Sequence, residues 1–128
     1  MVMVFQDAMK LCIIDDNTSI TNMFAKLAKI KGHDCVIAND GRTGLSLLEN
    51  GTYDVAILDL AMPEFSGIDV VNSLVKNGKM DKQKILVLTA SSVSDDDIEN
   101  LKKLGVKAFL KKPVKMNALL TVLENISN

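Results

Sequence analysis

Residues 55–75 read VAILDLAMPEFSGIDVVNSLV, and this stretch holds one complete strand–loop–helix unit. It begins with the continuous aliphatic run Val55–Leu58, which is typical of a strand covered on both faces. After a loop, four aliphatic residues follow at the spacing of one helix face: Ile68, Val71, Leu74 and Val75. A buried strand followed by an amphipathic helix is the repeating unit of a parallel α/β sheet.

The same alternation continues in both directions along the chain. Four further apolar runs predict strands, namely Leu11–Ile14, Cys35–Ala38, Ile85–Leu88 and Ala108–Leu110. Helical patterns lie between and after them, and glycines stand where helices should end, at positions 32, 51, 78 and 105. Five such β/α units predict an α/β fold with a doubly wound parallel sheet, because a parallel crossover needs a helix.

Size and composition indicate one domain with an aliphatic core. The chain has 128 residues, of which 48% are hydrophobic, and its formal net charge of −1 favours neither nucleic acid nor anionic lipid. No apolar run reaches the ~18 residues of a membrane helix. Residues 1–8 lack the basic start of a signal peptide, so we expect a short N-terminal extension followed by a domain over residues 9–128. Cys12 and Cys35 show no metal-binding spacing, which predicts buried free thiols and a cytoplasmic protein.

Polar residues follow four of the five predicted strands. In open α/β sheets, ligands bind beyond the carboxyl ends of the strands, where the strand order reverses. If the first and third strands flank that point, three carboxylates converge there with a hydroxyl and an ammonium nearby. The residues concerned are Asp15 and Asp16 after the first strand, Asp59 after the third, Thr89 at the end of the fourth and Lys112 after the fifth.

Such a cluster favours a bound cation. At ~5 Å and an effective dielectric constant of ~20, each carboxylate pair costs roughly 3 kcal/mol in repulsion. Hard oxygen ligands suit Mg²⁺ better than Zn²⁺, and an added lysine suits an anion such as phosphate. Each residue also has a simpler interpretation: Asp15 and Asp16 as a helix N-cap, Thr89 as an ordinary strand end, and Lys112 as a surface charge.

Other chemistry has less support in the sequence. No GxGxxG or GxxxxGK motif is present, and Ser66-Gly67 lacks the earlier glycine of a nucleophile elbow. His33 is the sole histidine, and its place before the second strand predicts a surface loop position.

Taken together, these residues resemble the receiver domains of two-component response regulators. The resemblance runs from about Met9 to Asn128. It implies a flavodoxin-like (βα)₅ three-layer sandwich with strand order 2-1-3-4-5, and a cis peptide bond between Lys112 and Pro113. Its anchors are Asp15-Asp16, Asp59 within LDLAMPEFSG, Thr89-Ala90 and Lys112-Pro113.

The resemblance implies a metal site built around the phosphoacceptor. Asp16 and Asp59 would ligate Mg²⁺ (or Mn²⁺) directly, together with the backbone carbonyl of Ala61. Asp15 would act mainly through a metal-bound water.

It also implies phosphoryl transfer and a conformational switch. Asp59 would accept a phosphoryl group from a sensor histidine kinase or a histidine phosphotransfer protein, while Lys112 and Thr89 contact the phosphate oxygens. Thr89 and Phe109 would form the switch that changes a surface for a downstream protein, which the sequence does not identify. On this interpretation the chain is a phosphorelay switch and not a metabolic enzyme, since it catalyses only its own phosphoryl transfer and autodephosphorylation.

Two positions depart from receivers that dephosphorylate quickly. Ala61, two residues beyond Asp59, has no polar side chain to orient a water molecule, and Ser91, two beyond Thr89, is small. We therefore expect slow autodephosphorylation.

Two other classes of function fit the sequence less well. A phosphatase of the haloacid-dehalogenase type needs a DxD motif, which neither Asp15-Asp16-Asn17 nor Asp59-Leu60-Ala61 provides. A degenerate receiver, used only for binding, would have lost the acceptor or an acidic partner. The last third of the chain is rich in lysine, which predicts a solvated face; the alternative is a docking surface for an acidic partner. The lysines are Lys102, Lys103, Lys107, Lys111 and Lys115.

Overall fold

The structure, a computed structural model, describes residues 8–90 and 93–127, in which five strands alternate with five helices. The strands are β1 (Lys10–Ile14), β2 (Asp34–Ala38), β3 (Val55–Asp59), β4 (Ile85–Thr89) and β5 (Ala108–Lys111). The helices are α1 (Thr18–Ile30), α2 (Gly41–Asn50), α3 (Gly67–Lys76), α4 (Asp95–Leu104) and α5 (Met116–Ser127), and a 3₁₀ turn (Met80–Lys82) precedes β4. Each predicted strand is confirmed.

The sheet is fully parallel, and its order is β2-β1-β3-β4-β5. β1 lies between β2 and β3, so that Leu11 pairs with Cys35 on one side and with Val55 on the other. The chain thus winds outward in both directions from β1 and β3. The predicted order is confirmed, and it places the carboxyl ends of β1 and β3 next to each other.

Helices cover both faces of the sheet, which makes the fold a three-layer sandwich as expected. Alternate strand residues point to opposite faces. Leu11 and Ile13 pack with α1 and α5, where the buried hydrophobic residues are Phe24, Ala28, Leu119, Leu120 and Leu123. Cys12 and Ile14 pack on the other face with α2, α3 and α4, where the buried residues include Leu48, Val70, Val71, Leu74 and Leu101.

The surface position expected for His33 is wrong. Its side chain is only 5% exposed, and its Nδ1 accepts a hydrogen bond of 2.9 Å from the backbone N–H of Met9. The backbone N–H of His33 also donates a hydrogen bond to the carbonyl of Ala28. The bond from Met9 connects the turn to the chain just before β1, and it depends on a partner 24 residues away in the sequence.

Both cysteines are free, as predicted, although only Cys12 is fully buried. Burial raises the pKa of Cys12 to about 12, with a smaller contribution from nearby Cys35. Burial also raises the pKa of the half-buried Cys35, to about 11.

The N-terminal extension expected over residues 1–8 stays a prediction, because all of it except Ala8 lies outside the described residues. Among the described helices, none combines the length and the apolar character that crossing a membrane requires.

Candidate functional site

The three aspartates predicted to converge do so at the carboxyl ends of β1 and β3. Asp15 and Asp16 directly follow β1, and Asp59 is the last residue of β3. Carboxylate oxygens of all three lie within 4.8 Å of one another. Asp15 and Asp59 are buried, whereas Asp16 is exposed, so the cluster is open to solvent on one side.

Lys112, the residue that follows β5, contacts this cluster. Its Nζ lies 3.0 Å from Asp15 Oδ2 and 3.3 Å from Asp59 Oδ1, so one ammonium contacts two buried carboxylates. The Lys112–Pro113 peptide bond is cis, as the resemblance implied. The alternative of an isolated surface charge for Lys112 is therefore wrong.

The electrostatic environment of Asp59 differs from that of an ordinary surface carboxylate. Burial, and next the charge of Asp15, raise the pKa of Asp59, while Lys112 and the N–H of Ala61 act in the opposite direction. For Lys112, burial lowers the pKa, but its hydrogen bond to Asp15 and the charge of Asp59 outweigh that effect and raise it. Three carboxylates and one ammonium leave a net negative site, which suits a divalent cation.

The helix-cap alternative for Asp15 and Asp16 is also wrong. The N-cap of α1 is Asn17, whose side chain accepts hydrogen bonds from the N–H groups of Ser19 and Ile20. Asp15 Oδ1 instead accepts a bond of 2.9 Å from the Asn17 N–H. Neither carboxylate caps α1, and both belong to the acidic cluster with Asp59.

Asn39 is a supporting residue that the sequence analysis missed. Its Nδ2 donates to the carbonyl of Asp15 at 2.9 Å and to Oγ1 of the buried Thr21 at 3.0 Å. It directly follows β2, so the signal that revealed the other site residues, a polar residue after a strand, also applied to Asn39.

The loop that follows Asp59, residues 60–66, is called here the acceptor loop. Leu60 and Met62 are buried, while Ala61 between them is exposed. The Ala61 N–H donates to Asp59 Oδ1 at 3.3 Å, and the Gly67 N–H donates to the carbonyl of Leu60 at 3.1 Å. A Cβ at Gly67 would collide with the Asp59 carbonyl oxygen, so the close approach of α3 to the loop requires glycine.

Thr89 and Phe109 lie on neighbouring strands at different depths. Thr89 is buried at the end of β4 and pairs with Lys111, whereas Phe109 pairs with Val87 and is half-buried. The ring of Phe109 packs against the α2–α4 side of the core, with Lys102 Nζ 5.9 Å from its centroid. Ser91, noted for the dephosphorylation rate, lies outside the described residues.

The donor set fits a hard divalent cation. Carboxylate oxygens at close quarters, with one open side for waters, are the ligands that Mg²⁺ prefers. Sulfur and imidazole ligands, which zinc and copper favour, do not occur in this cluster.

Comparison with known proteins points to one family. Residues 11–124 match the family model of the response regulator receiver domain. The transcriptional regulatory protein DltR of Streptococcus agalactiae is 32% identical over 112 residues, covering 88% of this chain and 49% of that protein. The chemotaxis protein CheY of Pseudomonas aeruginosa is 29% identical, covering 92% of this chain and 95% of CheY.

Solved structures agree with this assignment. The receiver domain of the Francisella response regulator 1452 superposes with a TM-score of 0.81 at 27% identity, covering 93% of this chain and 96% of that one. The chain spans about half the length of DltR, the first of the relatives above.

Proposed function

The chain belongs to the response regulator receiver domain family, and from that premise we propose that it accepts a phosphoryl group on Asp59 in a Mg²⁺-dependent reaction. One observation supports this proposal most strongly. Asp15, Asp16 and Asp59 lie within 4.8 Å of one another at adjoining strand ends, with Lys112 in contact with two of them. Receiver domains are signalling switches, and this cluster supplies the groups that the switching reaction needs.

Mg²⁺ (or Mn²⁺) would be held by Asp16, Asp59 and the Ala61 carbonyl, with Asp15 acting mainly through a water. When bound, the ion neutralises the negative charge of the transferred group. Both oxygens of Asp15 already have partners, the Asn17 N–H and Lys112, which favours an indirect role for that carboxylate.

In the transfer step, one oxygen of the Asp59 carboxylate attacks the phosphorus of a phosphohistidine on the donor protein. The new O–P bond forms as the P–N bond breaks, and the departing imidazole nitrogen takes up a proton from water. In the described part of the chain, the polar contacts of Asp59 fall on Oδ1, so we assign the attack to Oδ2. Lys112 would move from the carboxylates to a phosphate oxygen, and its positive charge would stabilise the transition state.

The donor would be a sensor histidine kinase or a histidine phosphotransfer protein. The Thr89 hydroxyl would bond to a phosphate oxygen, and the ring of Phe109 would respond by moving inward. The result would be a changed surface for a downstream protein. Ala61 offers no side-chain group to orient an attacking water, so the phosphorylated state should be long-lived.

The direct test uses acetyl phosphate as a small donor. We expect the intact mass of the chain to increase by one phosphoryl group in the presence of Mg²⁺ and not in the presence of EDTA. Asp59→Asn should abolish the increase, because an amide does not attack phosphorus as a carboxylate does. The matched control is Asp81→Asn, an exposed aspartate in the 3₁₀ turn, which should label like the wild type.

The same experiment separates the other classes of function. A chain used only for binding would acquire no label, and a phosphatase would release phosphate continuously without a stoichiometric adduct. Full labelling of Asp59→Asn would contradict the proposed acceptor.

A further inference from the structure

The acceptor loop is held from two sides. On its inner side, Leu60 and Met62 are buried in the core. On its outer side, the chain turns at Glu64, whose φ of 66° is left-handed, and the Phe65 N–H donates to the carbonyl of Pro63 at 2.7 Å. Ala61, which carries the proposed carbonyl ligand, is exposed between the two buried residues and stands four positions before Phe65.

The N-terminus of α2 contacts the outer side of the loop at Phe65. The guanidinium carbon of Arg42 lies 4.5 Å from the centroid of the Phe65 ring, which is the geometry of a cation–π contact. Gly41 lies against the main chain of the same residue, and a Cβ there would collide with the Phe65 carbonyl oxygen. Phe65 is therefore contacted on its ring by Arg42 and on its backbone by Gly41.

The N-terminal end of α2 is held by a helix cap and by packing against β1. Asp40 caps the helix by accepting hydrogen bonds of 2.7 Å from the Thr43 N–H and 2.8 Å from its hydroxyl. One turn later, Gly44 packs directly against Ile14, so that a Cβ at Gly44 would lie 2.5 Å from Ile14 Cγ2. Ile14 precedes Asp15 in the chain, so α2 connects the strand that carries Asp15 with the loop that follows Asp59.

We propose that Arg42 is a positioning residue for the metal site: by stacking on Phe65, it holds the acceptor loop in the conformation that offers the Ala61 carbonyl to the cation. This inference rests on the proposed function, since it assigns Arg42 a role toward Mg²⁺. Mg²⁺ demands near-ideal octahedral geometry, so a small displacement of one ligand weakens binding. A cation–π contact at an exposed site corresponds to roughly a two- to fivefold change in an equilibrium constant.

The sign of the effect distinguishes positioning from simple electrostatics. Arg42 carries a positive charge, so removing that charge would by itself leave Mg²⁺ binding unchanged or strengthen it. If Arg42 acts by holding the loop, its removal weakens binding instead. The two roles therefore predict different changes in the dissociation constant.

The test measures Mg²⁺ binding by NMR titration of the wild type, Arg42→Gln, Phe65→Leu and the double variant. We expect each single variant to bind Mg²⁺ roughly two- to fivefold more weakly. In the Phe65→Leu background, Arg42→Gln should cause no further loss, since the stacking partner is already absent. Both single variants should also shift the Ala61 amide resonance in the metal-free protein.

Lys111→Gln is the matched control, because it removes one exposed positive charge at the same end of the sheet without touching the acceptor loop. It should leave Mg²⁺ affinity unchanged or slightly tighter. Unchanged or tighter binding in Arg42→Gln, with an unmoved Ala61 amide, would overturn the inference. A wild type that binds no Mg²⁺ would contradict the proposed function instead, and the Ala61 amide in the metal-free variants would still test the positioning role.

Discussion

At the residue scale, His33 makes a hydrogen bond on which the start of β1 depends. Replacing it with Leu keeps a similar volume but leaves the buried Met9 N–H without an acceptor. We expect His33→Leu to lower the free energy of unfolding by roughly 1–3 kcal/mol in urea titrations. Lys31→Gln, an exposed change in the same turn, should stay within about 0.5 kcal/mol of the wild type. Equal stability of the two variants would show that the bond is dispensable.

The two thiols should be protected in the folded state by their raised pKa values as well as by burial. Because only the thiolate reacts, pKa values of about 12 for Cys12 and about 11 for Cys35 leave a very small reactive fraction of both thiols at pH 8, and Cys12 is the more deeply buried. We therefore expect iodoacetamide to label Cys35 before Cys12, and both much faster once urea unfolds the chain. Rapid labelling of native Cys12 would contradict the buried position.

The sequence alone was sufficient to predict the positions of those site residues that follow from strand order. Asp15, Asp59 and Lys112 come together because parallel strands end at the same edge, which periodicity and the family resemblance predict. The partners of His33 and the capping role of Asn17 were not predictable in this way. They depend on the local path of turns, where a shift of one residue changes every hydrogen-bond partner.

At the element scale, the packing of α3 against the acceptor loop sets the position of Asp59. Gly67 begins α3 with no room for a side chain, since a Cβ would lie 2.8 Å from Leu60 Cα as well as against the Asp59 carbonyl. Helix propensity alone would make Gly67→Ala stabilising by at most about 1 kcal/mol, the value for a helix interior. We expect the collision to outweigh this gain, so that the variant loses roughly 1–3 kcal/mol of unfolding free energy.

The control for this prediction is Asn72→Ala, an exposed position in the same helix, which should be neutral or slightly stabilising. Circular dichroism during thermal unfolding would compare both variants with the wild type. A Gly67→Ala variant as stable as Asn72→Ala would show that the loop moves away without cost.

Elements were predicted from the sequence better than their contacts were. Short apolar runs located the five strands. The runs of the central strands are buried throughout, because strands covered on both faces need apolar side chains at every position. The stacking of Arg42 on Phe65 left no such signal, since both residues lie at element ends, where hydrophobic periodicity says nothing about neighbours.

At the scale of the whole molecule, the proposed switch connects Thr89 to Phe109 across β4 and β5. A hydrogen bond from Thr89 to a charged phosphate oxygen is worth roughly 1.5–3 kcal/mol, enough to change the ratio of two states about ten- to a hundredfold. We expect Thr89→Ala to be phosphorylated on Asp59 yet to lose most of the response around Phe109. NMR shifts of α4 and β5, with and without beryllofluoride and Mg²⁺, would measure it. An equally large response in Thr89→Ala would mean that the coupling follows another path.

Chemical mapping of the phosphorylated residue would show whether Asp59 is the single phosphoacceptor, as we propose. Sodium borohydride reduces an aspartyl phosphate to homoserine, which peptide mass spectrometry can locate in the chain after treatment with acetyl phosphate and Mg²⁺. We predict homoserine at position 59 and at neither Asp15 nor Asp16, because Asp59 alone of these three described aspartates is buried and contacts both Lys112 and the Ala61 N–H. Homoserine at position 15 or 16, or an adduct on another residue type with Asp59 unmodified, would contradict it.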